Sequence, residues 1–217
     1  MKGLIAGILL IVVVGLGGLL YRNAVEHPFQ PIACPLDAKV CPDGTSVART
    51  GLSCTFPECP PPNVSLPDAG IAYAVPDGFS PAALPDAASI AAYDSPIATS
   101  SASTTEPAGI VIRRYALASS TPLAVIQATA LGSPSGLPVP EAKYVSIIIA
   151  DRNLTVVPIE RFEGVVDTAY YLAHGTDMLR FDAIDRGVAN WTDPALGVSA
   201  LPAQSALRKL LATLQGN

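Results

Sequence analysis

Charge is scarce in this chain, and that scarcity excludes more than any motif does. Asp, Glu, Lys and Arg make up 14% of its 217 residues, against about a quarter in ordinary soluble domains. The formal net charge is −5, and the only adjacent basic pairs are Arg113–Arg114 and Arg208–Lys209. Nucleic-acid binding needs clustered cations that displace counterions from phosphates, so nucleic acid is excluded as a partner. Histidine occurs twice, at His27 and His174, and no cysteine follows Cys59. The long carboxy-terminal region therefore has no thiol nucleophile. A glycine-rich phosphate loop is also missing. Gly132-Ser-Pro-Ser-Gly136 has the glycines of a nucleophile elbow, but Pro134 stands where that motif requires Ser. Asp177, Asp182, Asp185, Glu160 and Glu163 lack calcium-loop spacing and read as turn aspartates and a solvated sheet face. No catalytic residue, metal site or cofactor is expected.

Apolar sequence, by contrast, is concentrated at the start. Residues 3–20 contain no charge and no proline. As a helix they would extend roughly 27 Å, close to the thickness of a hydrocarbon core. Tyr21 and Arg22 follow, a pairing suited to a headgroup layer. A cleaved signal peptide would have a shorter apolar core of about 7–15 residues, so the expectation is an uncleaved signal anchor with the lipid bilayer as its partner. Two other processing signals do not fit. Pro31-Ile-Ala-Cys34 lies too far beyond the apolar run for a lipoprotein box, and Ile8 stands where a prepilin carries Glu. Flanking charge nearly balances, with Lys2 on one side and Arg22 and Lys39 on the other. Orientation must come from the cysteines.

All four cysteines, Cys34, Cys41, Cys54 and Cys59, fall in one short segment. An even number beside an anchor reads as a disulfide framework in an oxidising compartment, with all three pairings open. The expected layout is a single-pass membrane protein with its amino terminus cytoplasmic and its bulk extracytoplasmic. A zinc site would want Cys pairs two to four residues apart, which these intervals do not supply. The stretch from Cys34 to Ser46 loosely resembles the start of Kazal-type modules. Those need six cysteines, so inhibitor function does not carry over. Pro60-Pro61-Pro62 favours polyproline II and a semi-rigid spacer.

From residue 70 the pattern becomes that of a folded domain. Strands are expected over residues 71–75, 89–93, 109–117, 143–150, 154–162, 165–173 and 178–184. Helices are expected from Pro122 to about residue 131, capped by Ser120 or Thr121, and over 202–215. Leu179 and Phe181 alternate with Arg180 and Asp182, the period-two mark of a sheet with one wet face. Leu207, Leu210, Leu211 and Leu214 line one side of the last helix. Strands then helices give an α+β fold, an antiparallel β-sheet flanked by helices. The layout is a transmembrane anchor (1–22), a Cys-rich disulfide module (23–59), a Pro-rich linker (60–69) and an α+β domain (70–217).

Several strings resemble the PsbP/Mog1-like family: Tyr73-Ala-Val-Pro-Asp-Gly-Phe79, Arg161-Phe-Glu-Gly-Val165, Tyr170–Tyr171, Leu179-Arg-Phe-Asp182 and the closing leucine-rich helix. The whole chain also resembles single-span envelope proteins of candidate-phylum bacteria. The family resemblance implies α/β/α layering and a recognition role, and it transfers no metal ligand or contact residue. The lone Trp191, in Asn190-Trp-Thr-Asp-Pro194, is a candidate binding anchor or a ring packed over the sheet. Asn190, Arg161 and Arg180 complete the candidate binding residues. Arg161, Arg180, Glu160 and Asp182 are expected to form exposed cross-strand ion pairs. Asn63, Asn153 and Asn190 open glycosylation sequons. The expected function is a membrane-anchored extracytoplasmic binding or assembly module with an envelope protein as partner. The alternatives are a hydrolase with a carboxylate site and a purely structural envelope component.

Overall fold

A computed structural model describes residues 2–26, 34–41, 46–95, 107–118, 120–132 and 135–216. They divide into two compact units, Met1–Lys39 with Ala48–Pro57 and Val40–Val47 with Glu58–Asn217.

The first unit holds helix α1, Lys2–Glu26, with the apolar side chains Ile8 to Val14 exposed. The same unit holds a small loop closed by the Cys34–Cys54 disulfide. Arg49 donates to Asp37 at 2.7 Å and lies 4.2 Å over the Phe56 ring. Among the described residues, no helix is long and apolar enough to cross a membrane. This overturns the transmembrane anchor and the single-pass placement expected from residues 3–20.

The second unit is built on a seven-stranded antiparallel sheet. Short strands β1 (Ala38–Val40), β2 (Ser46–Ala48), β3 (Val64–Leu66) and β4 (Ile71–Tyr73) precede it. The sheet strands are β5 (Ser80–Pro81), β6 (Ser89–Ser95), β7 (Ala108–Ala116), β8 (Val145–Ile149), β9 (Arg152–Phe162), β10 (Val165–His174) and β11 (Asp177–Asp185). Their order is β5-β6-β7-β11-β10-β9-β8. The run β8 to β11 is a meander of tight hairpins, while β11 crosses back to pair with β7. The second disulfide, Cys41–Cys59, belongs to this unit. Residues 64–66, placed in the linker by sequence, form β3 and pair with β4.

Helix α2, Pro122–Thr129, starts as its sequence dictates: Thr121 Oγ1 accepts from Ala124 N at 3.2 Å, and Pro sits in the first turn. Helix α3, Pro202–Thr213, repeats its apolar residues at helical spacing. Ala203, Ala206, Leu207, Leu210 and Leu211 are buried on one sheet face against Ile110, Ile112, Tyr170, Leu179 and Phe181. Gln204, fully buried among them, donates to Ala183 O at 2.9 Å and accepts from the Tyr170 hydroxyl. The chain end then ties to β4 through reciprocal Ala72–Gln215 bonds. Gly216 lies at φ +119°, where an added Cβ would stand 2.2 Å from Gly70 O, so no side chain fits there.

The expected α+β class with α/β/α layering gives way to a mostly β domain. Its second helix is eight residues long and buries only Val125 and Ile126, too little for a second helical layer. The opposite sheet face buries a smaller apolar cluster that includes Val157, Ile159, Ala169, Tyr171 and Met178, with charged side chains beside it.

Candidate functional site

Period-two alternation puts Arg180 and Asp182 of β11 on the same side, away from α3. The β11–β7 register sets Arg180 opposite Arg113 and Asp182 opposite Val111. Two like charges facing across strands repel, and Asp182 resolves the conflict. Its Oδ1 accepts from Arg180 Nε at 2.7 Å, and its Oδ2 accepts from Arg113. Asp182 is wholly buried and Arg180 almost so. The guanidinium of Arg180 also donates to Thr129 O at 2.6 Å, at the end of α2, where Leu131 N donates to the same carbonyl at 3.0 Å. It lies 5.7 Å from the centre of the Tyr171 ring. Arg113 reaches outward to Asp86 at 2.7 Å, whose other oxygen accepts from Ala88 N and Ser89 Oγ.

Asp167 on β10 joins this cluster without completing it. Its Oδ1 is buried and has no hydrogen-bond partner among the described residues. Burial first, and then the Asp182 charge, push its pKa well above the usual carboxylate range, while Arg180 and Arg113 pull the other way. Burial alone would lower the pKa of Arg180; the charge of Asp182 outweighs it and raises it. Burial pushes the Tyr171 hydroxyl up to about 12.

Asp185, one turn of alternation further on, acts as a cap from a distance. Leu201 occupies the N-cap of α3 and has no side-chain acceptor. Asp185 Oδ1 accepts from Ala203 N at 2.7 Å instead. Burial raises its pKa to about 6, against the pull of those backbone donors and Arg186.

The wet face expected for Arg180 and Asp182 is therefore dry, and the exposed ion pairs expected there are buried ones. Of the four candidate binding residues, Arg161, Asn190 and Trp191 come together and Arg180 does not. Arg161 donates to the carbonyls of Trp191 and Asp193. The half-buried Trp191 ring meets Phe162 edge-on at 6.0 Å, so it packs rather than stands free. His174 is half-buried, and a Cβ on Gly70 would stand 3.2 Å from its Nε2. His27 and the Pro42–Asp43–Gly44 turn lie outside the described residues. Sequence reading missed Arg113, Asp86 and Asp167 as members of one cluster; only the strand register unites them.

The described clefts lie elsewhere. One of about 480 Å³ opens beside β5 and β6, lined by Val64, Leu66, Phe79, Leu84, Ile90 and Tyr93 among others. Its polar residue Asn63 already accepts from Val75 N at 2.9 Å. Below it the Tyr73 and Tyr93 hydroxyls meet at 2.8 Å, and burial raises the pKa of both. None of the described clefts takes Asp167, Asp182 or Asp185 into its lining. Among the described residues no three His, Cys, Asp or Glu come together as a metal-holding group.

No protein-family model and no curated protein matches this chain. A solved structure of a protein from Bacteroides thetaiotaomicron aligns with a TM-score of 0.42 at 8% identity, over 68% of this chain and 45% of its own. This chain thus spans less than half of that neighbour, and the likeness carries no argument about fold or function.

Proposed function

We propose that this protein is a binding module whose cleft beside β5 and β6 takes an extended apolar segment of a partner protein. The observation that carries this reading is the chemistry of the cleft: a lining of aliphatic and aromatic side chains whose polar member, Asn63, is already engaged. Such a site gains affinity by burying apolar area and offers little for catalysis. Leu84, more than half exposed, is the side chain a ligand would cover.

Selection of peptides from a random displayed library tests it. Peptides rich in apolar residues are expected to be recovered, and Leu84→Asp is expected to abolish their binding. Leu137→Asp, at an exposed leucine outside the cleft, should leave binding intact. Recovery of no binder, or binders indifferent to Leu84→Asp, would overturn the proposal.

A further inference from the structure

The cleft beside β5 and β6 has a buried proton donor at its base for which the protein supplies no acceptor. Tyr73, at the end of β4, and Tyr93, on β6, meet edge to face with ring centres 6.2 Å apart. Their hydroxyls lie 2.8 Å apart. Each hydroxyl brings one proton, and the bond between them uses one of the two. Neither hydroxyl has a second hydrogen-bond partner among the described residues, so one O–H is left over. A buried donor without an acceptor is costly and rare.

The placing of the pair decides which proton is spare. Tyr73 is wholly buried and lines none of the described clefts, whereas Tyr93, nearly as buried, lines this one. Among the described residues Tyr93 is the acceptor open to the Tyr73 proton. Tyr73 therefore donates, Tyr93 accepts, and the proton of Tyr93 is the spare one. The acidities agree. Burial first, and then the bond to Tyr93, raise the pKa of Tyr73, as for a donor that keeps its proton. Burial also raises Tyr93, but the bond from Tyr73 pulls it down, as for an acceptor. Asn63 repeats the pattern in the same lining. Its Oδ1 accepts from Val75 N, and its amide NH2 has no acceptor among the described residues. No residue of the lining carries a charge.

We infer that Tyr93 is the specificity contact of this cleft, its hydroxyl donating to a backbone carbonyl of the segment bound there. The inference rests on the reading of the cleft as a site for an extended peptide segment, and it adds what that segment must present. Free donors without a cation suit an uncharged acceptor, since a carboxylate would be desolvated without a counter-charge. An extended peptide carries such an acceptor on every residue, between the side chains that would meet the apolar walls. The walls then supply affinity. The carbonyl held at Tyr93 fixes which residue of the segment lies over the tyrosine pair.

The test measures the affinity of a peptide selected on the full chain for three variants. Tyr93→Phe keeps the ring and removes the donor, and it is expected to weaken binding about tenfold. Tyr73→Phe keeps the Tyr93 proton and is expected to bind within about twofold of wild type. The double variant Tyr73→Phe/Tyr93→Phe leaves no orphan hydroxyl in the core, so it stands in if Tyr93→Phe folds poorly, and it should bind as weakly as Tyr93→Phe. The acceptor is located by replacing the peptide's amides with esters one at a time, because an ester carbonyl accepts more weakly. One ester is expected to weaken binding to wild type and to have no effect on the Tyr93→Phe protein. If Tyr93→Phe and the double variant bind like wild type while Leu84→Asp abolishes binding, the proton goes to water: this inference falls and the apolar reading of the cleft stands. Equal losses in Tyr93→Phe and Tyr73→Phe, or an ester scan with no position that depends on Tyr93, would overturn it as well. If Leu84→Asp leaves binding intact, the peptide binds elsewhere and both readings fall.

Discussion

Both faces of the seven-stranded sheet bury apolar clusters, but only one of them also buries a group of charges. One face meets α3 through leucines, and its polar ties are few: Gln204, and Asp185 reaching the helix start. The other buries a second apolar cluster, with Val157, Ile159, Ala169, Tyr171 and Met178 from the sheet and Val125 and Ile126 from α2, and sets Arg113, Arg180, Asp182 and Asp167 beside it. Apolar packing is non-directional and roughly proportional to area, so the α3 face tolerates small rearrangement. Buried charge is directional and costly when left unpaired. The two faces should therefore fail differently when damaged.

The largest effect is expected on the charged face. Asp182→Ala leaves two arginines facing each other without their shared acceptor and should lose about 3–5 kcal/mol, read from the urea midpoint. Replacing Arg113, Asp182 and Arg180 together by Met, Leu and Met should recover most of that loss. If the triple variant were as unstable as the single one, the cost would lie in packing, and the contrast between faces would fail.

On the helical face Leu207→Ala should lose about 2–5 kcal/mol, since Leu207 is fully buried. Here the partial substitution Leu207→Met should recover most of the loss, because Met fills irregular space. No partial substitution should do so at Asp182.

The carboxyl joining α3 to the sheet gives a pH test. The pKa of Asp185 is raised by burial to about 6, above its ordinary value. The folded state therefore holds a proton that the unfolded chain releases between about pH 4 and pH 6. The associated stability is present below that window and is lost as pH rises through 6, by up to about 3 kcal/mol. Asp167 acts in the same direction. Asp185→Asn keeps an acceptor for Ala203 N and should flatten this slope in denaturation curves taken across pH 4–7. An unchanged slope would show that Asp185 is not its source.

The smallest effect is local. Thr121→Ala should cost α2 about 1 kcal/mol, visible as faster amide exchange in Pro122–Thr129 with α3 unaffected. Comparable exchange changes in both helices would mean that the faces are coupled, contrary to their separate closures.

Legibility followed the range of the interaction. The hairpins from β8 to β11 were readable because β-branched runs are punctuated by turns, at Ala150–Asp151 and Glu163–Gly164. The cap at Thr121 and the leucine stripe of α3 were equally local. Strand β3 was hidden in a proline-rich stretch, since its pairing depends on β4 rather than on its own propensity. The cluster was hidden more deeply. Arg113 and Asp182 are 69 residues apart in sequence, and no spacing rule joins them. Trp191 stood out by composition alone, but whether its ring faces solvent or Phe162 is a matter of the loop's path.

What the sequence by itself determined is whatever depends on neighbours along the chain: where strands turn, where α2 and α3 begin, which side of α3 is apolar, and that four cysteines crowd together. Tertiary structure alone decided the pairing Cys34–Cys54 and Cys41–Cys59, the burial of Arg180 and Asp182, and the short α2 that leaves the sheet without a second helical layer. The reason is that burial and partnership are set by the β7–β11 register, which joins segments far apart in the chain. A period-two pattern states which residues share a face, but it carries no information about what will cover that face.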